Sequence, residues 1–149
     1  YSREEVLAAY GRSSIAAPLP HVAGVLLDQV AQTDVFFVTL NKSEKDYSPT
    51  TRYNDYAISD RIFHWESQAS TTESSDTGQR YIHHDARGSK DVLFVRPTKK
   101  SLIGRTVPYL CIGSARYVDH HGECPMAITW QLDRPLPGDV YTTYRAAIA

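Results

Sequence analysis

Six short runs rich in β-branched and aromatic side chains follow one another along this chain: residues 35–40 (VFFVTL), 61–67 (RIFHWES), 91–96 (DVLFVR), 109–112 (YLCI), 115–119 (ARYVD) and 126–132 (MAITWQL). Each is of strand length, and turn residues such as Pro97, Gly113 and His121-Gly122 separate several of them. A chain patterned this way folds as a mainly β domain with short helices, an α+β fold built on a curled sheet or small barrel of six or so strands. With 149 residues it has enough length for one domain with a sizeable core and too little for two ordinary ones. We therefore read 1–149 as a single domain.

The helical signals are short. Ser2 followed by Arg3, Glu4 and Glu5 resembles an N-cap with acidic first-turn residues, and Val6, Leu7 and Tyr10 supply an apolar face before Gly11. Residues 21–29 are ambiguous, residues 41–50 form a polar connector, and 69–79 (ASTTESSDTGQ) form a loop or the polar start of a short helix. Pro135, Pro137 and Gly138 close the last strand before a short tail.

Several function classes fall away. No apolar run approaches the roughly 18 residues needed to span a bilayer, and no basic-then-apolar leader precedes Tyr1. The chain thus resembles an excised piece of a longer polypeptide, and a cytoplasmic location is expected. A net charge of -1 argues against strong nonspecific phosphate binding, so any nucleic-acid role must use local patches. Cys111 and Cys124 make neither a disulfide framework nor a zinc set, and His83-His84 and His120-His121 have no metal-ligand spacing. Phosphate-cradling glycine loops and a nucleophile elbow are also missing, so neither catalysis nor a cofactor is expected.

The densest constellation is 48–68, SPTTRYNDYAISDRIFHWESQ, where rings alternate with donors and acceptors. Stacking faces beside paired polar groups are what reading a nucleobase requires. In a strand, 61–67 sends Phe63 and Trp65 to one face and His64 and Glu66 to the other.

The stretches FFVTLNKSEKDYSPTTRYNDYAISDRIFHWESQ, GQRYIHH, LFVR, PYLCIGSARYVDHHGECPMAITWQL and the terminal PLP resemble the domain of unknown function found at the C-terminus of many bacterial superfamily 2 helicase-like proteins. The resemblance covers nearly the whole chain. In that family the domain often follows a phospholipase-D-type nuclease and a DEAD/DEAH-type ATPase. Some such proteins are modification-dependent (type IV) restriction systems of bacterial defence, in which this end is the proposed reader of methylated cytosine. The resemblance implies a C-terminal target-recognition module that itself does not cut, with modified duplex DNA and the helicase and nuclease modules as partners. By analogy it implies a fold similar to the SET-and-RING-associated (SRA) and pseudouridine-synthase-associated (PUA) base-binding domains.

Physical chemistry gives that expectation a form: 5-methylcytosine or a related base flips into an aromatic pocket and is read on its Watson-Crick edge. Trp65 with Tyr47, Tyr53 or Tyr56 would stack, while Asn54, Asp55, Glu66, Gln68 and His64 offer edge-reading groups. Trp65 equally fits a core ring, and Asn54, Asp55 and Gln68 equally fit loop caps. For the phosphates the candidates are Arg52, Arg61, Arg80, Lys42 and Lys45, with Ser48, Thr50 and Thr51 as turn formers or phosphate contacts and Lys99-Lys100 in a second loop. The alternative class is a protein-interaction domain that docks onto the helicase or nuclease, using the same rings as its interface.

Overall fold

The computed structural model describes residues 1–2, 5–6, 9, 25–28, 32–41, 55–67, 71–98, 103–123 and 126–144. Their elements run β1 (Val25–Asp28), β2 (Thr33–Asn41), β3 (Tyr56–Ala57), β4 (Ile62–Glu66), α1 (Asp76–Ile82), β5 (Lys90–Thr98), β6 (Leu110–His121), β7 (Ala127–Leu132) and α2 (Gly138–Tyr144). One seven-stranded sheet has the order β1-β2-β5-β6-β7-β4-β3. Every pair is antiparallel except β2 with β5, which the intervening β3, β4 and α1 connect as a parallel crossover. The fold is mixed α+β and mostly β. No helix among the described residues is long and apolar enough to cross a membrane.

The sheet is curled. Four strand steps separate β2 from β4, about 19 Å on a flat sheet at roughly 4.8 Å per step. Yet the rings of Phe36 on β2 and Trp65 on β4 lie 4.7 Å apart. The concave side therefore closes on itself around Phe36, Phe63, Trp65, Leu93, Val95, Ile128, Trp130 and Leu132, all buried. The other face of β2 and β5 is covered too, by Val6, Leu26 and Tyr109 packing with Val35 and Phe94. Burial on both faces explains why these two strands read as continuous apolar runs, whereas β4, buried on one face, alternates. Among the described residues β1 and β3 are the two ends of the sheet, so the sequence-based alternative of a closed barrel is not what the pairing describes.

The leading helix has the expected start. Glu5 N–H donates to Ser2 Oγ at 3.1 Å and Ser2 N–H donates to the Glu5 carboxylate at 3.0 Å, a reciprocal capping box. These bonds hold the Glu5 carboxyl below its ordinary range. Glu5, Val6 and Ala9 are helical, and Val6 is buried in the second cluster; Leu7, Tyr10 and Gly11 lie outside the described residues.

Two expectations are corrected, and two open readings are settled. Residues 109–112 and 115–119 are not two strands: β6 runs unbroken through Gly113, whose φ of +95° accommodates an irregularity against β5 at Leu93/Phe94 instead of a turn. The segment after Pro137 is not a tail but α2, whose Tyr144 is buried against the core. The ambiguous 21–29 stretch contains β1, which with the two-residue β3 brings the strands to seven. Of the two readings for 69–79, a polar helix start holds, with Ser75 Oγ capping α1 by accepting from Gly78 N–H at 3.0 Å.

Candidate functional site

β6 outlasts its partner. β5 begins at Lys90, and past the Asp91↔Ala115 register pair β6 continues to His121 alongside β7 alone. His84, in the turn after α1, fills the split: its Nε2 accepts from the Tyr117 N–H that β5 no longer meets, at 3.1 Å. Its Nδ1 lies 3.2 Å from the Ser89 carbonyl, which can only accept, so Nδ1 carries the proton and Nε2 does not.

Beside this split sit two acids. Asp34 on β2 and Asp91 on β5 are register partners on adjacent parallel strands, and both are completely buried. Arg80 of α1 serves one of them, its Nε donating to Asp34 Oδ2 at 2.8 Å. The other Asp34 oxygen and both Asp91 oxygens have no hydrogen-bond partner among the described residues. His84 Nε2 stands 3.6 Å from Asp91 Oδ2, but having spent its lone pair on Tyr117 it has no proton to offer, so this approach is not an ion pair.

The electrostatics follow from that geometry. Burial, and next the neighbouring Asp34 charge, push the Asp91 carboxyl up to about 8 against an opposing pull from Arg80. Burial also raises the Asp34 carboxyl, opposed by Arg80. Burial works against the Arg80 charge, but its bond to Asp34 together with the attraction of Asp34, Tyr81 and Asp91 outweighs this and leaves the guanidinium above its ordinary value. With one guanidinium for two acids, Asp34 is the ionised member and Asp91 keeps its proton at neutral pH.

An aromatic wall adjoins the acids. The His84 ring is 5.7 Å from Trp130, Trp130 is 5.5 Å from Phe36, and Tyr81 of α1 stands 5.5 Å from Phe36 and 5.6 Å from Trp65. Trp130 Nε1, also buried, has no hydrogen-bond partner among the described residues. Arg80, 22% exposed at its side chain, is the cluster's link to the surface. Orphaned acceptors, an orphaned donor and flat apolar rings together suit a planar ligand that brings its own amino groups.

Of the described residues singled out from sequence, Trp65 and Arg80 belong to this centre. Trp65 is a core ring, 5% exposed, in the aromatic wall. Asp55, buried, accepts from Glu66 N–H at 2.8 Å and ties the chain ahead of β3 to the end of β4. Tyr56 and His64 are cross-strand partners whose rings stack at 4.8 Å and 15°, on the sheet face opposite Phe63 and Trp65. Glu66 shares that outer face, and Arg61 is exposed at its start. Arg80 is held by Asp34. Tyr47, Tyr53, Asn54, Gln68, Arg52, Ser48, Thr50, Thr51, Lys42, Lys45, Lys99 and Lys100 lie outside the described residues.

Sequence reasoning missed Asp34, Asp91, His84, Tyr81 and Trp130 as a group. A signal existed: the two strands buried on both faces open with the same pattern, TDVFFV and KDVLFV. Placed side by side in a parallel pair, those openings align two acids. No group of three or more His, Cys, Asp or Glu side chains among the described residues is placed to hold a metal ion.

A family model described as a domain of unknown function (DUF3427) matches residues 1–144. No curated protein matches the chain.

Proposed function

The chain belongs to the DUF3427 family, a domain of unknown function, and from that premise we propose that it is a DNA target-recognition module that reads a modified base, 5-methylcytosine or a close relative, in duplex DNA. The base leaves the stack and enters the concave side of the sheet, where the wall of Trp65, Tyr81 and Trp130 covers its faces and the Asp34–Asp91 pair reads its edge. We extend the proposal to a likeness in fold with the SRA and PUA base-binding domains.

The observation that carries the reading is the pair of buried carboxyl groups with three oxygens that have no donor among the described residues. Burying such groups costs free energy, and folds keep that kind of arrangement where a ligand or a reaction uses it. A cytosine-type base supplies amino hydrogens to those oxygens and a methyl-bearing ring to the apolar wall. Access runs past Arg80, so α1 must give way while the Arg80 guanidinium stays on Asp34. The parent protein's helicase and nuclease modules belong to the same proposal: this module selects the site and they act on it.

A second reading has one observation in its favour. Ile58, beside the end strand β3, and Val118 on β6 are each 49% exposed, as suits a surface that docks onto a neighbouring module. Titrating the isolated chain with duplexes carrying 5-methylcytosine, 5-hydroxymethylcytosine, phosphorothioate linkages or no modification, at one salt concentration, separates the two. Recognition predicts tighter binding to a modified duplex, and docking predicts equal binding to all four.

A further inference from the structure

We infer that Asp91 acts in its carboxylic acid form as the specificity-determining group of the interior site, selecting the amidine edge of a base over a lactam edge. An amidine edge pairs an amino group with an unprotonated ring nitrogen, as in 5-methylcytosine. A lactam edge pairs a ring N–H with a carbonyl, as in thymine. The inference rests on the base-reading function proposed above and adds which edge is chosen and by what.

The geometry supplies the argument. Asp91 is fully buried between Asp34 on β2 and Ala115 on β6, its register partners on either side. Among the described residues the charged and titratable groups around it are few. Asp34 is a like charge; Arg80 on α1 is committed to Asp34 at 2.8 Å; His84 holds its only proton toward Ser89 and its lone pair toward Tyr117 N–H; and Lys90, next on its own strand, is exposed. Among the described residues no cation is left to compensate an Asp91 carboxylate, so the neutral acid is the form this site tolerates.

A neutral carboxylic acid has one donor and one acceptor side by side. It gives its proton to the ring nitrogen of an amidine and accepts from the amino group, two bonds in one plane. Against a lactam the same acid can pair only by turning over, which sets the carbonyl oxygen of the base against Asp34, a second acceptor. An ionised carboxylate, which only accepts, would instead repel the amidine nitrogen and welcome the lactam N–H. The Asp91 carboxyl, pushed up to about 8 by burial and by Asp34, holds its proton across the neutral range and yields it above.

5-Methylcytosine and thymine share the ring and the methyl group and differ only at this edge, which makes them the probes. Binding is measured for one duplex carrying 5-methylcytosine opposite guanine and its twin carrying thymine opposite guanine, at fixed salt from pH 6.5 to 9. The mispaired thymine is the easier base to extrude, so a preference for 5-methylcytosine reflects the edge. Wild type prefers 5-methylcytosine by about 10-fold at pH 6.5 and loses that preference as pH passes 8. Asp91→Asn, whose amide has the same donor and acceptor pattern, keeps the preference at every pH; Asp91→Ala loses it throughout.

A wild-type preference that survives to pH 9, or an Asp91→Asn profile that falls in step with wild type, overturns the inference while leaving base reading in place. Equal binding of methylated and unmethylated cytosine duplexes by wild type overturns both. Should Asp91→Ala fail to fold, the contrast between wild type and Asp91→Asn decides the matter by itself.

Discussion

Replacing Asp91 with asparagine should make the domain more stable, and the gain should grow with pH. In the folded chain the Asp91 carboxyl is pushed from 3.8 up to about 8, so between those values the folded state binds a proton that the unfolded state has released. Stability is then fully present below the unfolded value, falls as pH rises, and reaches its floor above the folded value. From pH 5 to pH 8 the interval is about 3 units, and at about 1.36 kcal/mol per unit wild type loses about 4 kcal/mol relative to a variant with no proton to lose. For a chain of this size that corresponds to roughly 10 °C in Tm. The amide of Asp91→Asn fills the same space and does not titrate, while Asp34 and Arg80 are present in both proteins, so the difference isolates Asp91. Urea unfolding followed by circular dichroism at half-unit steps from pH 5 to pH 9 reads it directly. Curves for the two proteins that run parallel across that range would refute the claim that Asp91 is an uncompensated buried acid.

Trp130→Ala removes a fully buried ring that touches Phe36, His84 and Tyr117, and should cost about 3–5 kcal/mol in denaturant titration. Gly78→Ala should cost about 2 kcal/mol or more, because a Cβ there would fall 2.1 Å from the Thr72 carbonyl oxygen and force α1 away from the turn before it; differential scanning calorimetry measures it. Ser2→Ala breaks one arm of the capping box with Glu5 and should lower stability by about 1 kcal/mol, read as a shift in urea midpoint with unchanged slope.

The strands were legible because the runs are short, β-branched and bounded by turns, and the alternation of 61–67 put Phe63 and Trp65 on one face and His64 and Glu66 on the other, of which the first is the buried one. Gly113 misled because a glycine inside an apolar run signals either a turn or a bulge, and only the pairing of β6 with β5 decides between them. The helix after Pro137 was hidden because GDVYTTY has no strong helical period; its place is set by Tyr144 packing into the core. The aromatic-polar segment announced itself by composition, and its Trp65 belongs to the wall beside the acids. Asp34 and Asp91 were missed for a different reason. An acid at the edge of an apolar run reads as the point where a strand meets solvent, and only the parallel crossover brings both inside the sheet, side by side. Long-range topology made the site, and the matching openings TDVFFV and KDVLFV point to it only once the two strands are known to pair.

The chain has two tryptophans, and both, Trp65 and Trp130, stand in the wall that a flipped base would meet. Their intrinsic fluorescence, recorded while a duplex with a single central 5-methylcytosine and its unmodified twin are titrated at the same salt, therefore tests the central claim most directly. A saturable change in emission with the methylated duplex, and none at matched occupancy with the plain one, is the predicted result. Binding of the methylated duplex, detected by anisotropy, with no change in tryptophan emission would contradict it.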